Sequence, residues 1–175
     1  VLSICTVSIS EVLIQIDKGE IQILYSPLYK GAVKVSYQLD KRVNVENIKK
    51  RPSFYKEVTL PIVIATIPED LTNTGMDRGH LAPDAAFDYN EEVLNKTYSM
   101  ANIVPQYPNV NRKVWASIEE LERYTAVQFG KIEVENYVFY GSEYLKKLPL
   151  EEILSDSSRN IKDINKYSNK YIRDA

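Results

Sequence analysis

The sequence predicts an α+β fold, in which an antiparallel β-sheet carries helices on one side. Two observations predict it: apolar and polar residues alternate in several short segments, and one long segment repeats with a helical period. The chain has 175 residues, 44% of them hydrophobic, which is enough for a folded core. Because no repeat, low-complexity tract or linker interrupts it, we expect a single domain over residues 1–175.

The first strands are predicted by alternation. Residues 11–25 are expected to form a β-hairpin around the turn pair Lys18-Gly19. A third strand is expected over residues 33–39. The apolar residues that alternate in these strands are Val12, Ile14, Ile16, Ile21, Ile23, Val33, Val35, Tyr37 and Leu39.

Shorter elements are predicted in the middle of the chain. Residues 62–67 are a β-branched run between two prolines. Asn90 is expected to cap a short helix that ends near Lys96. Residues 98–104 are expected to form a strand that Pro105 ends.

The clearest helix is predicted from Asn109 to Gly130, where glycine is a natural stop. Its expected apolar stripe consists of Val110, Val114, Ile118, Leu121 and Thr125. A strand over residues 132–140 and a polar amphipathic helix over residues 157–172 should follow.

Composition excludes several classes of protein. No apolar run reaches the ~18 residues that span a bilayer, so no membrane span is expected. A net charge of −2 argues against a dedicated nucleic-acid binder, although not against an enzyme that must release its product. One cysteine and one histidine exclude an intrachain disulfide and a structural zinc site. A bound metal would therefore have oxygen ligands, and Mg²⁺ is the default.

The single histidine, His80, lies in a segment that suits phosphodiester cleavage. An imidazole can deprotonate water, and the guanidinium of Arg78 can offset charge that develops on phosphorus oxygens. Gly79 is expected to let the backbone turn tightly, so that both side chains face one site. Asp77 is expected to pair with a cation or to hold the turn.

This segment, Asp-Arg-Gly-His followed by Leu-Ala-Pro, resembles the signature of the DNA/RNA non-specific endonucleases, which are ββα-metal or His-Me finger nucleases. A second block resembles the same family: Met-Ala-Asn-Ile-Val-Pro-Gln from residue 100, then Asn111, Trp115 and Glu119 at spacings of four. The two blocks cover residues 76–122. The resemblance implies a ββα-metal core at about residues 68–130.

The resemblance also implies roles for individual residues. His80 would be the general base. Asn111 would bind Mg²⁺ directly, with Mn²⁺ able to substitute, and Glu119 would act through the metal's water shell and so belong to the catalytic set. Two neighbours of the histidine, Asp77 and Asn102, would support the site without contacting substrate.

Three arginines are expected to contact substrate: Arg51, Arg78 and Arg112, the first two of them in catalysis. Arg51 precedes Phe54 in a setting similar to that of a phosphate-binding arginine of the family. The alternative for Arg51 is a surface cation beside two lysines.

Helical spacing supports one direct and one water-mediated ligand. Asn111 and Glu119 should lie about 12 Å apart along the axis, at ~1.5 Å per residue, which is too far for both to bind one cation directly. Mg²⁺ usually keeps several waters, which fits this arrangement. We expect Trp115 to anchor the core rather than to stack on bases. Without the resemblance, Glu119 would be one more acid on the helix surface.

The resemblance therefore predicts a Mg²⁺-dependent, sugar-non-specific endonuclease that hydrolyses DNA and RNA and leaves 5′-phosphate ends. Two alternatives stay open: a nuclease toxin domain with an immunity protein, and an inactive nucleic-acid-binding module on the same fold. Residues 150–175 show no family feature, so the chain is expected to be either a short member of the family or one whose sheet edge a second subunit completes in a homodimer. The apolar residues 1–16 are either a first strand or the remnant of a signal peptide, and a secreted or periplasmic location is expected.

Overall fold

The computed structural model describes residues 12–45 and 48–140. These residues form two antiparallel sheets, one with the strand order β1-β2-β3-β6 and one that pairs β4 with β5. The strands are β1 (Ile14–Asp17), β2 (Ile21–Ser26), β3 (Gly31–Asp40), β4 (Asp77–His80), β5 (Ile103–Gln106) and β6 (Lys131–Tyr137), and the helices are α1 (Glu91–Thr97) and α2 (Ala116–Phe129). The α+β prediction with an antiparallel sheet is confirmed.

The predicted hairpin is present as β1 and β2. Its turn is closed by Asp17, whose Oδ1 accepts a 2.7 Å hydrogen bond from the backbone N–H of Gly19. Gly19 has a φ of +81°, a conformation that glycine adopts without steric cost.

The third strand is present but longer than predicted, and its inner face includes one bulge. Tyr25 pairs with Ala32 and Leu24 with Lys34, so Val33 is an extra residue in β3. Ala32 is therefore buried, whereas Val33 is only half-buried. The regular alternation that predicted Val33 on the buried face was wrong at that residue.

The smaller sheet differs from the predicted strand over residues 98–104. Met100–Asn102 form a 3₁₀ turn, because the hydroxyl of Ser99 caps the N–H of Ala101, at 3.3 Å. The strand begins at Ile103 and runs through Pro105 instead of ending there. Proline is tolerated because a two-stranded sheet has a free edge on each strand, where no ladder hydrogen bond is needed.

The short helix α1 confirms its prediction. Asn90 caps it, since Oδ1 accepts hydrogen bonds from the N–H groups of Glu92 and Val93, at 2.9 and 3.1 Å. The β-branched run at residues 62–67 forms turns and irregular backbone, with Ile62 and Val63 exposed.

The long helix is confirmed in extent, but its predicted apolar stripe is wrong. It begins with a π-helical segment, Val110–Trp115, continues as α2, and ends at Gly130 with a φ of +82°. Three residues of the predicted stripe are exposed, at 36–62% of their surface: Val114, Ile118 and Leu121.

The π-helical segment explains the difference. Because a π turn closes over five residues, Val110 and Trp115 share a face, and both are buried. From Trp115 the face continues through half-buried Glu119 and Glu122 to fully buried Ala126. This face packs on β3 and β6.

The predictions for the two ends of the chain are tested only in part by the described residues. β6 ends at Tyr137, three residues before the predicted end at Tyr140. The predicted helix over residues 157–172, Cys5 and most of the apolar start lie outside the described residues. In the described ranges, no helix is long and apolar enough to span a membrane.

Candidate active site

Arg78 and His80 lie on the same face of β4, because side chains two residues apart in a strand point the same way. The ring of Phe54 lies against both, 5.4 Å from the Arg78 guanidinium carbon and 5.5 Å from the centre of the imidazole. The structure therefore brings together these two predicted site residues through strand geometry.

Gly79 plays a different part from the expected one. It lies in extended strand and not in a tight turn, and its φ is not positive. A Cβ at this position would come within 2.4 Å of Cδ of Gln106. The glycine is needed because the buried Gln106 side chain lies directly on the β4 backbone.

The imidazole of His80 has mainly aromatic surroundings. The ring of Tyr98 meets it edge-on, with centroids 5.0 Å apart and planes at 71°. Nε2 is buried and has no hydrogen-bond partner among residues 12–45 and 48–140. Burial lowers the pKa of His80, with Asp84 opposing the shift and Arg51 adding to it. Burial thus favours the neutral form of an imidazole whose Nε2 has no partner among the described residues.

A hydrogen bond from the helix holds the backbone at His80. The indole N–H of Trp115 donates to the His80 carbonyl oxygen, at 2.8 Å. Trp115 is buried, which confirms it as a core anchor.

Asn102 holds the residues that follow the histidine. Its Oδ1 accepts from the N–H of Ala82 at 2.9 Å, and its Nδ2 donates to the carbonyl oxygens of Ala82 and Thr97, at 3.0 and 2.9 Å. Because these bonds occupy the side chain, Asn102 acts on the backbone after His80 and not on the imidazole itself.

Asp77 connects β4 to the π-helical segment. Its carboxylate accepts a 3.1 Å bond from Nδ2 of Asn111 and two 2.8 Å bonds from the Arg112 guanidinium. The Arg112 bonds first, and Asn111 in addition, hold the pKa of Asp77 below its usual range. Of the two alternatives for Asp77, the structure supports pairing with a cation. Arg112 remains 68% exposed at its side chain.

Glu119 lies one helical turn beyond Trp115 and is half-buried. Burial, and then the neighbouring carboxylate of Asp84, raise its pKa to about 7, while Arg123 opposes the shift. Arg123 itself has a buried Nη1 without a partner among the described residues. Glu119 is therefore no ordinary surface acid.

Arg78 is half-buried, and two contacts hold its guanidinium. Its Nη2 donates to the carbonyl oxygen of Pro68 and to the hydroxyl of Thr72, at 2.9 and 3.0 Å. Its Nε is buried and without a partner in the part of the chain that the structure describes.

Arg51 is not a free surface cation, because two carboxylates contact it. Nη2 lies 2.9 Å from Asp88 and Nε 3.4 Å from Asp84, and Asp84 also accepts a 2.7 Å bond from the hydroxyl of Tyr98. Sequence reasoning missed both carboxylates and the Tyr98 hydroxyl that bonds to one of them. No local signal marks them, since Arg51 and Asp88 are 37 residues apart.

The donor set suits a hard cation with few direct protein ligands. No group of three or more His, Cys, Asp or Glu side chains in the described ranges could hold a metal. Asn111, oriented by Asp77 through Nδ2, leaves its carbonyl oxygen for a cation, and a carboxylate such as Glu119 can bind metal-bound water. These residues fit a Mg²⁺ ion.

Comparison with known proteins shows the family of the chain. A model of the DNA/RNA non-specific endonuclease family matches residues 4–171. The chain therefore belongs to the DNA/RNA non-specific endonuclease family.

Individual relatives agree with this membership. The chain is 27% identical to human mitochondrial endonuclease G over 137 residues, which are 77% of this chain and 45% of that protein. It is 30% identical to a nuclease of Nostoc over 125 residues, 71% of this chain and 44% of that protein. The chain thus spans less than half the length of these relatives.

A solved structure of the EndoG/EndoGI complex has the same fold. It matches with a TM-score of 0.66 and 18% identity, over 72% of this chain and 53% of that one.

Proposed function

We propose that this chain carries the catalytic region of a metal-dependent endonuclease that hydrolyses phosphodiester bonds in DNA and RNA. The observation that carries the proposal is the imidazole of His80, whose buried Nε2 is without a partner in the described ranges and lies on the same strand face as Arg78. A base with a free nitrogen beside a cation is what attack of water on a phosphodiester requires.

In the proposed reaction His80 takes a proton from water as the water oxygen attacks phosphorus. The bond from phosphorus to the 3′ oxygen breaks, and the 3′ oxygen takes up a proton from solvent to become a hydroxyl. The 5′ oxygen keeps the phosphate, so the products carry 5′-phosphate ends. Burial lowers the pKa of His80, so the imidazole stays neutral and able to accept a proton down to a lower pH than a free histidine.

Arginines are proposed to bind the phosphate. Arg78 would offset the charge on the phosphorus oxygens, while Arg51 and the exposed Arg112 would hold flanking phosphates. Asp77 and Asn102 are positioning residues in this scheme: Asp77 orients Asn111 and Arg112, and Asn102 fixes the backbone after His80.

Mg²⁺ is the proposed cofactor, with Mn²⁺ able to substitute. Asn111 would hold the ion directly and Glu119 through water. When bound, the ion would stabilise negative charge on the phosphate and on the leaving oxygen.

The experiment is digestion of plasmid DNA and of RNA with and without EDTA, by the wild-type chain and by His80→Ala. The proposal is supported if the wild-type chain cleaves both substrates and if both EDTA and the His80→Ala substitution abolish this cleavage. Undiminished cleavage in EDTA contradicts the metal requirement, and cleavage by His80→Ala contradicts the base. A discrete band pattern at one short motif contradicts non-specific cutting.

Location and protein partners stay predictions. Several relatives carry mitochondrial in their names, among them the human endonuclease G and a nuclease of Schizosaccharomyces pombe. A secreted or periplasmic location for this chain is tested by fractionation. An immunity protein or a homodimer is tested by co-purification and by the mass of the chain in solution.

A further inference from the structure

The guanidinium of Arg51 has two carboxylate partners in unequal surroundings. Asp88 is buried, with 2% of its side chain exposed, and bonds to Nη2 at 2.9 Å. Asp84 is 26% exposed and lies 3.4 Å from Nε. The arginine side chain itself is 36% exposed, so solvent and ligands reach it on one side.

These differences give the two aspartates different strengths as partners. An ion pair with a buried carboxylate is little screened by water, so Asp88 is a lasting anchor for Arg51. A longer pair with a half-exposed carboxylate is weak and screened, so Asp84 is exchangeable.

A phosphate that binds Arg51 through the edge formed by Nε and Nη2 would compete with Asp84, which contacts Nε. Bidentate binding at this edge uses the Nε hydrogen and one of the two hydrogens of Nη2, the atom that also donates to Asp88. Asp84 lies at that edge.

Asp84 can give up Arg51 at little cost, because it has a second donor. The same oxygen, Oδ2, accepts the 2.7 Å bond from the Tyr98 hydroxyl. A carboxylate that loses the arginine therefore keeps a hydrogen bond and some solvent contact.

We propose that Asp84 is an internal competitor for substrate phosphate at Arg51, and that Asp88 is the fixed anchor that orients the arginine. This inference rests on the proposed role of Arg51 in binding nucleic acid. A phosphodiester of a nucleic-acid backbone displaces Asp84 because the other contacts of the bound strand hold that phosphate beside Arg51. The competition weakens binding of substrate and speeds release of product.

The two aspartates should therefore change DNA affinity in opposite directions. We would measure binding of a short labelled DNA duplex by fluorescence anisotropy in EDTA, over a range of KCl, for the full chain and its variants. Asp40→Asn is the matched control, since Asp40 is also a partly exposed aspartate paired with an arginine, Arg42, outside the site. It corrects for the loss of one negative charge.

Relative to that control, Asp84→Asn should tighten binding about two- to fivefold, the range of a partly exposed ion pair. The slope of log affinity against log salt should steepen by up to ~0.9, one phosphate contact. Asp88→Asn should weaken binding instead. In an Arg51→Gln background neither aspartate variant should differ from the control.

Several results would overturn the inference. If Asp84→Asn weakens DNA binding as much as Asp88→Asn does, both aspartates only hold Arg51 in place. If Asp84→Asn changes DNA affinity as much in the Arg51→Gln background as in the wild-type chain, its effect does not act through Arg51. If the wild-type chain cleaves DNA and the Arg51→Gln variant binds DNA as tightly as the wild-type chain does, the inference is overturned and the nuclease proposal stays intact. A chain that cleaves no nucleic acid with Mg²⁺ overturns the nuclease proposal itself.

Discussion

At the scale of single residues, the site combines groups whose charge states are set by their surroundings. Phe54 and Tyr98 pack against the His80 ring, and burial lowers the pKa of the imidazole, so its neutral form is favoured. Asp77 keeps its charge because Arg112 and Asn111 bond to it. A neutral base and a charged support within one strand need no unusual residue types, only different neighbours.

The lowered pKa of His80 makes stability depend on pH. An unfolded histidine binds a proton near pH 6.5, whereas the folded one resists it, so unfolding takes up a proton below that pH. We expect the wild-type chain to lose stability relative to His80→Gln as pH falls from about 7 towards the folded pKa. Urea unfolding in EDTA at several pH values measures this. A constant difference between the two chains across that range contradicts it.

Asn111 is expected to govern metal affinity. Asn111→Ala should weaken Mg²⁺ binding, seen by calorimetry, and excess Mg²⁺ or Mn²⁺ should restore part of the cleavage rate. His80→Ala should bind the ion and hardly turn over. The control is Asn95→Ala, which removes an exposed amide on α1. If His80→Ala loses metal binding and Asn111→Ala keeps it, the assignment of base and ligand is reversed.

At the scale of elements, the site depends on how closely β4 and β5 pack. Gly79 and Gln106 share one small space, with Gln106 buried against the strand backbone. The π-helical segment then brings Asn111 and Arg112 to the first residue of β4, Asp77.

Gly79→Ala tests this packing. The added methyl group would overlap Cδ of Gln106, so we expect a loss of about 1–3 kcal/mol in the free energy of unfolding, the range for overpacked cores. Gly79→Ala with Gln106→Ala should recover part of it, because the smaller side chain leaves room for the methyl group. Denaturant unfolding of the two single variants and the double variant gives the coupling. Additive losses would show that the two residues do not compete for space.

At the scale of the whole molecule, the site lies where several elements meet. The residue after His80, Leu81, is bonded through its carbonyl oxygen to Asn136 of β6, at 2.7 Å. Trp115 holds His80 from the helix side, and Asn102 holds Ala82. The larger sheet and the long helix therefore hold the end of β4, where His80 lies.

Loss of the Asn102 amide should lower the stability of the whole fold. Asn102→Ala leaves buried backbone groups of Ala82 and Thr97 without their bonds, and each such group costs about 1–3 kcal/mol. We expect a loss of at least about 2 kcal/mol in thermal or denaturant unfolding. Asn95→Ala, on the surface, should change stability by less than about 0.5 kcal/mol. Equal stability of the two variants contradicts the role given to Asn102.

Local signals predicted much of this structure. The hairpin turn at Gly19, the Asn90 cap and the spacing around His80 all depend on residues close in sequence. The partners of Arg51 are far away in the chain and carry no pattern, so only the fold shows them.

The helix face shows a second limit of sequence reasoning. A constant period of 3.6 residues placed Val114 and Leu121 inside, whereas the π turn shifts the phase by one residue and exposes both. Composition alone does not mark such a shift, because the residues that cause it are ordinary helix residues.

The same segment has a consequence for how the chain tolerates changes in length. A single-codon deletion between Val110 and Trp115 would turn the π segment into ordinary α-helix and leave α2 seated on its sheet through Trp115. Val110 and Trp115 would then lie four residues apart and would still share a face, so the helix would stay seated at both ends of the segment. The segment can thus absorb the loss of one residue, whereas a single-residue deletion within α2 would rotate one part of the helix by about 100° against the other.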